Sequence, residues 1–156
     1  MAACIRQSFL DRDLMKRPSQ TITFIHGATP VTRRILVVDD YRAAAEFFAV
    51  LLKRLGHDVR TASNGFQAIA VAEEFRPEVI LLDLGLPDLN GFETAKRIRK
   101  ESWSEGTVLI AVSGYGDKRD RELSQEAGFD AYLLKPASVK DIQDLIEKFS
   151  HADPSC

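Results

Sequence analysis

Four short, uninterrupted apolar runs constrain this chain more than any other feature. They are Ile35-Leu36-Val37-Val38, Val79-Ile80-Leu81-Leu82, Val108-Leu109-Ile110-Ala111-Val112 and Ala131-Tyr132-Leu133-Leu134. Each stops at polar residues: Asp39-Asp40, Asp83, Ser113-Gly114 and Lys135-Pro136, respectively. Runs of β-forming residues without polar alternation suit strands covered on both faces, as in a parallel sheet. Asp58-Val59-Arg60-Thr61 alternates instead, and reads as a weaker edge strand between the first two runs.

Helical patterns separate the runs. Ala44, Phe48, Leu51 and Leu55 recur at helical spacing and stop at Gly56, a residue suited to a left-handed cap. Asn64 with Gln67 resembles a capping pair that opens a second helix burying Ala68, Ala72 and Phe75 before Pro77. Phe92, Ala95 and Ile98 mark a third, Asp117 caps a fourth that ends at Gly128, and Ser138 with Asp141 caps a fifth. The buried stripe of the fifth is Val139, Ile142, Leu145, Ile146 and Phe149. Strands alternating with helices imply right-handed crossovers. The expected fold is therefore α/β: a flavodoxin-like, doubly wound, five-stranded parallel sheet in the order 2-1-3-4-5 with five helices. Ligands of such a sheet bind at the carboxyl ends of the first and third strands.

Charge divides the chain. Residues 1–33 hold five basic and two acidic side chains, a net of +3, which leaves −5 of the total −2 for the remainder. They read as an N-terminal extension, flexible or loosely docked, in which residues 22–25 form the one candidate strand. A start at Met15 or a partner-binding arm are the two alternatives for this segment. Residues 34–150 are expected to form one domain and residues 151–156 a C-terminal tail. The near-neutral balance argues against nucleic acid bound through phosphate neutralisation. No stretch approaches the ~18 apolar residues of a membrane span, and no secretory signal follows Arg6. Cys4 and Cys156, near opposite ends, form no disulfide framework. A cytoplasmic protein is expected.

A parallel sheet brings the carboxyl ends of its strands to one rim, so Asp39, Asp40, Asp83, Ser113 and Lys135 should converge. Three carboxylates in one cleft repel one another and cost stability unless a cation joins them. Oxygen-only ligands favour a hard divalent ion, which leaves room for waters and a phosphate. A hydroxyl and an ammonium on the same rim suit the remaining phosphoryl oxygens, so the group describes phosphoryl chemistry. Taken singly, each residue has a plainer reading. The Asp39-Asp40 pair suits a solvated helix cap, Asp83 and Ser113 suit turns, Lys135 suits the surface and Tyr132 a half-buried edge. His26, His57 and His151 lack ligand spacing, Trp103 reads as a partly exposed aromatic, and no Walker or dinucleotide glycine pattern is present.

These pieces, together with Leu84-Gly85-Leu86-Pro87 and Asn90-Gly91 after Asp83, resemble the receiver domain of two-component response regulators over Arg34 to about Phe149. The Gly85-Leu86-Pro87 and Ser113-Gly114-Tyr115-Gly116 forms look most like receivers of hybrid histidine kinases. The resemblance implies that Asp83 is the phosphoacceptor and takes its phosphoryl group from a phosphohistidine on a histidine kinase or histidine phosphotransfer protein. It implies Mg²⁺ (or Mn²⁺) held by Asp40, Asp83 and the backbone carbonyl of Gly85, with Asp39 acting through water. It implies that Lys135 pairs with a phosphoryl oxygen, that Pro136 follows a cis peptide, that Ser113 turns to the phosphoryl group and that Tyr132 swings inward behind it. Gly85 and Tyr115 occupy the positions that flank water attack and tune the phosphoryl lifetime. Ala137 stands where a larger apolar residue is common, and is expected to loosen the start of the fifth helix.

By the same resemblance the domain is not an enzyme beyond promoting its own phosphorylation and dephosphorylation. Its output is a downstream protein contact through the fourth helix, fifth strand and fifth helix. Only seven residues follow Phe149, so no further effector is expected, and a homodimer is compatible with the sequence. Two alternatives stand beside this reading. One is a Mg²⁺-dependent phosphohydrolase that forms an aspartyl phosphate, although Gly85 replaces the second aspartate such enzymes carry. The other is a pseudo-receiver that binds partners without accepting phosphate.

Overall fold

The computed structural model describes residues 31–150. The candidate strand at 22–25, the rest of the extension to residue 30, His26 and the tail with His151 lie outside the described residues. The elements run β1 (Arg34–Val38), α1 (Arg42–Arg54), β2 (Asp58–Ala62), α2 (Gly65–Phe75), β3 (Val79–Asp83), α3 (Gly91–Lys100), a 3₁₀ turn (Ser102–Ser104), β4 (Val108–Ser113), α4 (Lys118–Ala127), β5 (Ala131–Leu134) and α5 (Val139–Ser150). The strands form one parallel sheet in the order β2-β1-β3-β4-β5, as the pattern of runs predicts.

The two-sided burial of the runs has a direct cause. Leu36, Val38, Ile80, Leu82, Leu109 and Ala111 face α2, α3 and α4, whose Ala68, Ala72, Ala95, Ile98 and Ala127 cover them. The alternate residues Ile35, Val37, Val79, Leu81 and Ile110 face α1 and α5, through Ala45, Ala49, Leu52, Ile142, Leu145 and Ile146. Along the central strands β1, β3 and β4 almost every position is covered on both faces, so polar alternation disappears there.

The buried face of α1 is rotated by one residue from the expected stripe. Ala45, Ala49 and Leu52 are buried, Ala44, Phe48 and Leu51 flank them, and Leu55 is 43% exposed. Consecutive alanines leave the helical phase open by about 100°, and packing against the sheet fixes it. Trp103 is half-buried against the α2–α4 layer, with the Arg76 guanidinium 5.3 Å from its ring centre.

The helix ends follow the capping residues. Asn64 accepts from the Gln67 N–H at 2.8 Å, while the Gln67 side chain reaches back one residue further than expected, to the Ser63 N–H. Asp117 caps α4 through the Asp120 N–H, and Ser138 and Asp141 cap α5 reciprocally. Gly56 and Gly128 take positive φ values, 95° and 97°, after α1 and α4. At the opposite edge from the polar rim, Arg99 donates to the carbonyls of Gly128, Ser104 and Thr107 and to Asp130 Oδ2 at 2.6 Å. Asp130 Oδ2 also accepts from the Leu109 N–H, so this cluster ties α3 to the start of β4.

Candidate functional site

The carboxyl ends of β1, β3, β4 and β5 supply the site. Asp39 follows β1, and its N–H donates to Ala62 O of β2 at 3.1 Å. Its Oδ1 accepts from the Tyr41 N–H at 2.8 Å, which fixes the carboxylate and leaves Oδ2 toward the cleft. Asp83 is the last residue of β3 and is held the same way, with Oδ1 accepting from the Gly85 N–H at 3.0 Å. Asp39 and Asp83 are buried and Asp40 is exposed, and carboxylate oxygens of all three lie within 4.8 Å of one another.

Lys135 enters from beyond β5. Its N–H donates to Ser113 O at 2.7 Å, and the Lys135–Pro136 peptide is cis, as expected. Its Nζ lies 3.1 Å from Oδ2 of both Asp39 and Asp83. Burial works against the ammonium, but hydrogen bonds and charge from Asp83 and Asp39 outweigh it and hold its pKa above the ordinary lysine value.

Ser113 ends β4 one residue beyond Val112, the register partner of Asp83, and its side chain is buried. Its Oγ accepts from the Tyr115 N–H at 3.1 Å. Tyr132 of β5 is also buried, in the inward position, and its hydroxyl donates to the Tyr115 carbonyl. Burial raises the Tyr132 phenol pKa, opposed by the Ser113 hydroxyl and Arg121 and supported by Asp120 and Asp117. Ser113, the Tyr115 backbone and Tyr132 therefore form one connected chain. The Tyr115 ring is 78% exposed, so it is not packed over the cleft in this conformation. At Gly85 an added Cβ would meet only Asp83 Oδ1, at 3.6 Å.

All the rim residues singled out in the sequence reach this edge. Beside Lys135 a cleft of about 440 Å³ opens between α1 and α5, lined by Phe48, Leu81, Val112, Pro136, Ala137 and Ile142. The oxygen-only donor set of three clustered carboxylates fits a hard divalent cation, and the Lys135 ammonium supplies part of the compensating charge here.

Comparison with known proteins agrees with this geometry. The response regulator receiver domain family matches residues 35–147. The chain belongs to that family. It is 36% identical over 110 residues to the DNA-binding response regulator MtrA of Mycolicibacterium paratuberculosis, covering 70% of this chain and 48% of that protein. The chain thus spans about half the length of the MtrA relatives it matches. The polar-differentiation response regulator DivK of Brucella anthropi is 29% identical over 75% of this chain and 95% of its own. Among solved structures, the receiver domain of sensor histidine kinase PA1611 from Pseudomonas aeruginosa superposes with a TM-score of 0.70 at 29% identity. The match covers 76% of this chain and 98% of that one, and that structure holds a magnesium ion in its active-site cleft. The chain is accordingly a receiver domain of two-component signalling, a class of signalling phosphoacceptors.

Proposed function

We propose that Asp83 is the phosphoacceptor and that residues 34–150 form the receiver, with residues 1–33 an extension and 151–156 a tail. The observation that carries this reading is the position of Lys135 Nζ, 3.1 Å from both Asp39 and Asp83, with the Asp40 carboxylate in the same cluster. An Asp83 carboxylate oxygen attacks phosphorus in line as the P–N bond to the imidazole of a phosphohistidine breaks, and the imidazole leaves to take up a proton. Asp83 Oδ1 is already fixed by the Gly85 N–H, so Oδ2, on the cleft side, is the attacking atom. Lys135 then exchanges a carboxylate partner for a phosphoryl oxygen. Ser113 turns its hydroxyl toward the phosphoryl group, and the inward Tyr132 holds the Tyr115 backbone behind it.

Asp40, Asp83 and the Gly85 carbonyl would hold Mg²⁺ (or Mn²⁺), with Asp39 contributing through water. A divalent ion bound there would supply positive charge to the phosphoryl oxygens during transfer. The phosphodonor in this reading is a cytoplasmic histidine kinase or histidine phosphotransfer protein. The output is a protein contact over α4, β5 and α5, where Leu123 and Leu134 are exposed, with the exposed Tyr115 in the loop before α4. The lifetime of the phosphoryl group is set by Gly85 and Tyr115, and turnover of the domain's own phosphate is its only catalysis. No helix among the described residues is long and apolar enough to cross a membrane.

Binding of beryllofluoride, a phosphoryl mimic, tests this reading. With Mg²⁺ the amide spectrum of residues around Ser113 and Tyr132 should change, and the change should vanish in Asp83→Asn or in chelator. A response equal in wild type and mutant contradicts the assignment. Steady hydrolysis of p-nitrophenyl phosphate would favour a phosphohydrolase instead.

A further inference from the structure

Arg121 of α4 places its guanidinium carbon 5.8 Å from the ring centre of Tyr132. Its Nε is buried without a hydrogen-bond partner, and its guanidinium forms no ion pair among the described residues. Of the carboxylates near it in the chain, Asp117 Oδ1 caps α4 and Glu122 pairs with Lys118. A cation held against an aromatic face with no carboxylate partner takes its compensation from the ring. The ring it covers is the buried Tyr132, whose hydroxyl holds the Tyr115 carbonyl while the Tyr115 N–H holds Ser113. Arg121 therefore stands at the outer end of a continuous path that leads through Tyr132 and Tyr115 to the Ser113 hydroxyl.

We propose that Arg121 is a positioning residue of the phosphorylation switch: by capping the inward Tyr132 ring it biases the domain toward its phosphorylated conformation and couples α4 to that state. This deepens the function proposed above and rests on it. For Tyr132 to leave its inward site, its ring must lose the guanidinium and α4 must yield, since Arg121 lies directly on it. Stabilising the inward ring keeps the 114–116 backbone in place for Ser113 to turn toward a phosphoryl group. A ligand that prefers the inward state then binds more tightly when the cap is present, by the differential stability of the two states.

The test is the apparent affinity for beryllofluoride in saturating Mg²⁺, with 3-fluorotyrosine incorporated so that ¹⁹F NMR reports the Tyr132 environment. Arg121→Gln, which keeps a polar group but not the charge, and Arg121→Ala should each weaken binding by about two- to tenfold, the range of a partly buried cation–π contact. Both should move the ¹⁹F resonance of Tyr132 in the free protein, and Arg121→Lys should recover most of the affinity. In a Tyr132→Leu background the same Arg121 substitutions should have no further effect. Unfolding midpoints measured alongside separate loss of folding from loss of bias. Wild-type affinity in both Arg121→Gln and Arg121→Ala, or an undiminished loss in the Tyr132→Leu background, overturns the proposal. Those results leave the phosphoacceptor reading standing, whereas absence of any wild-type response to beryllofluoride removes both.

Discussion

Lys135 Nζ lies 3.1 Å from Asp83 Oδ2, although 52 residues separate the two in the chain. The same nitrogen lies 3.1 Å from Asp39 Oδ2, so one ammonium compensates two buried carboxylates. Its side chain is 38% exposed, and water shares in screening the pair.

Removing that ammonium leaves Asp39 and Asp83 facing each other uncompensated. Lys135→Met is expected to lower stability by about 1–2 kcal/mol in chelator, a breakage cost reduced for solvent screening. In millimolar Mg²⁺ the loss should shrink, because a second source of positive charge serves the same carboxylates. Urea unfolding with and without Mg²⁺ measures this, and an identical loss in both conditions would count against the shared site.

Glu78 predicts an acid dependence away from the site. Burial pushes its pKa up, but the Arg34 N–H at 3.0 Å and the Arg33 guanidinium at 2.9 Å outweigh this and hold it below the ordinary glutamate value. Its stabilising contribution is therefore complete above the unfolded value and is lost as pH falls through the lower folded one. Glu78→Gln should lower stability at pH 7 by about 0.5–1 kcal/mol and converge with wild type at acid pH. Denaturation midpoints from pH 7 to pH 3 test this, and a constant gap across that range would refute it.

Gly91 is required by close approach. A Cβ there would lie 2.5 Å from the Asp83 carbonyl oxygen and 2.7 Å from Leu84 Cα. Gly91→Ala is expected to cost about 1–3 kcal/mol and to weaken the beryllofluoride response, because the backbone it displaces carries Asp83. Chemical denaturation and titration together check both parts, and a stable variant with wild-type affinity would contradict them.

Gly85 offers the opposite case, since a side chain there has room. Gly85→Asn should fold normally and place an amide beside the acyl phosphate, where it can orient water. Dephosphorylation should accelerate by about two- to tenfold, a modest positioning effect. Tyr115→Ala should also change the decay rate, and unchanged decay in both variants would remove these positions from lifetime control.

The sheet was legible because β1, β3, β4 and β5 are uninterrupted apolar runs that end abruptly at Asp39, Asp83, Ser113 and Lys135. That abruptness also marked the rim. The phase of α1 was less legible, since Ala43-Ala44-Ala45 and Phe47-Phe48 offer similar residues at adjacent positions. Packing against β1 and β2 chose Ala45, Ala49 and Leu52. The Arg99–Asp130 pair and the Arg121–Tyr132 contact had no local signature. Each joins a helix residue to a side chain outside that helix, and a charged residue on a helix gives no sign of which side chain it will meet.

The most direct test of the account is the site of phosphorylation itself. The protein is incubated with acetyl phosphate and Mg²⁺, the acyl phosphate is reduced with borohydride, and peptides are mapped by mass spectrometry. The expected result is homoserine at position 83 alone, absent from Asp83→Asn and from samples with chelator. Labelling at another residue, or labelling that persists in Asp83→Asn, would contradict the central claim.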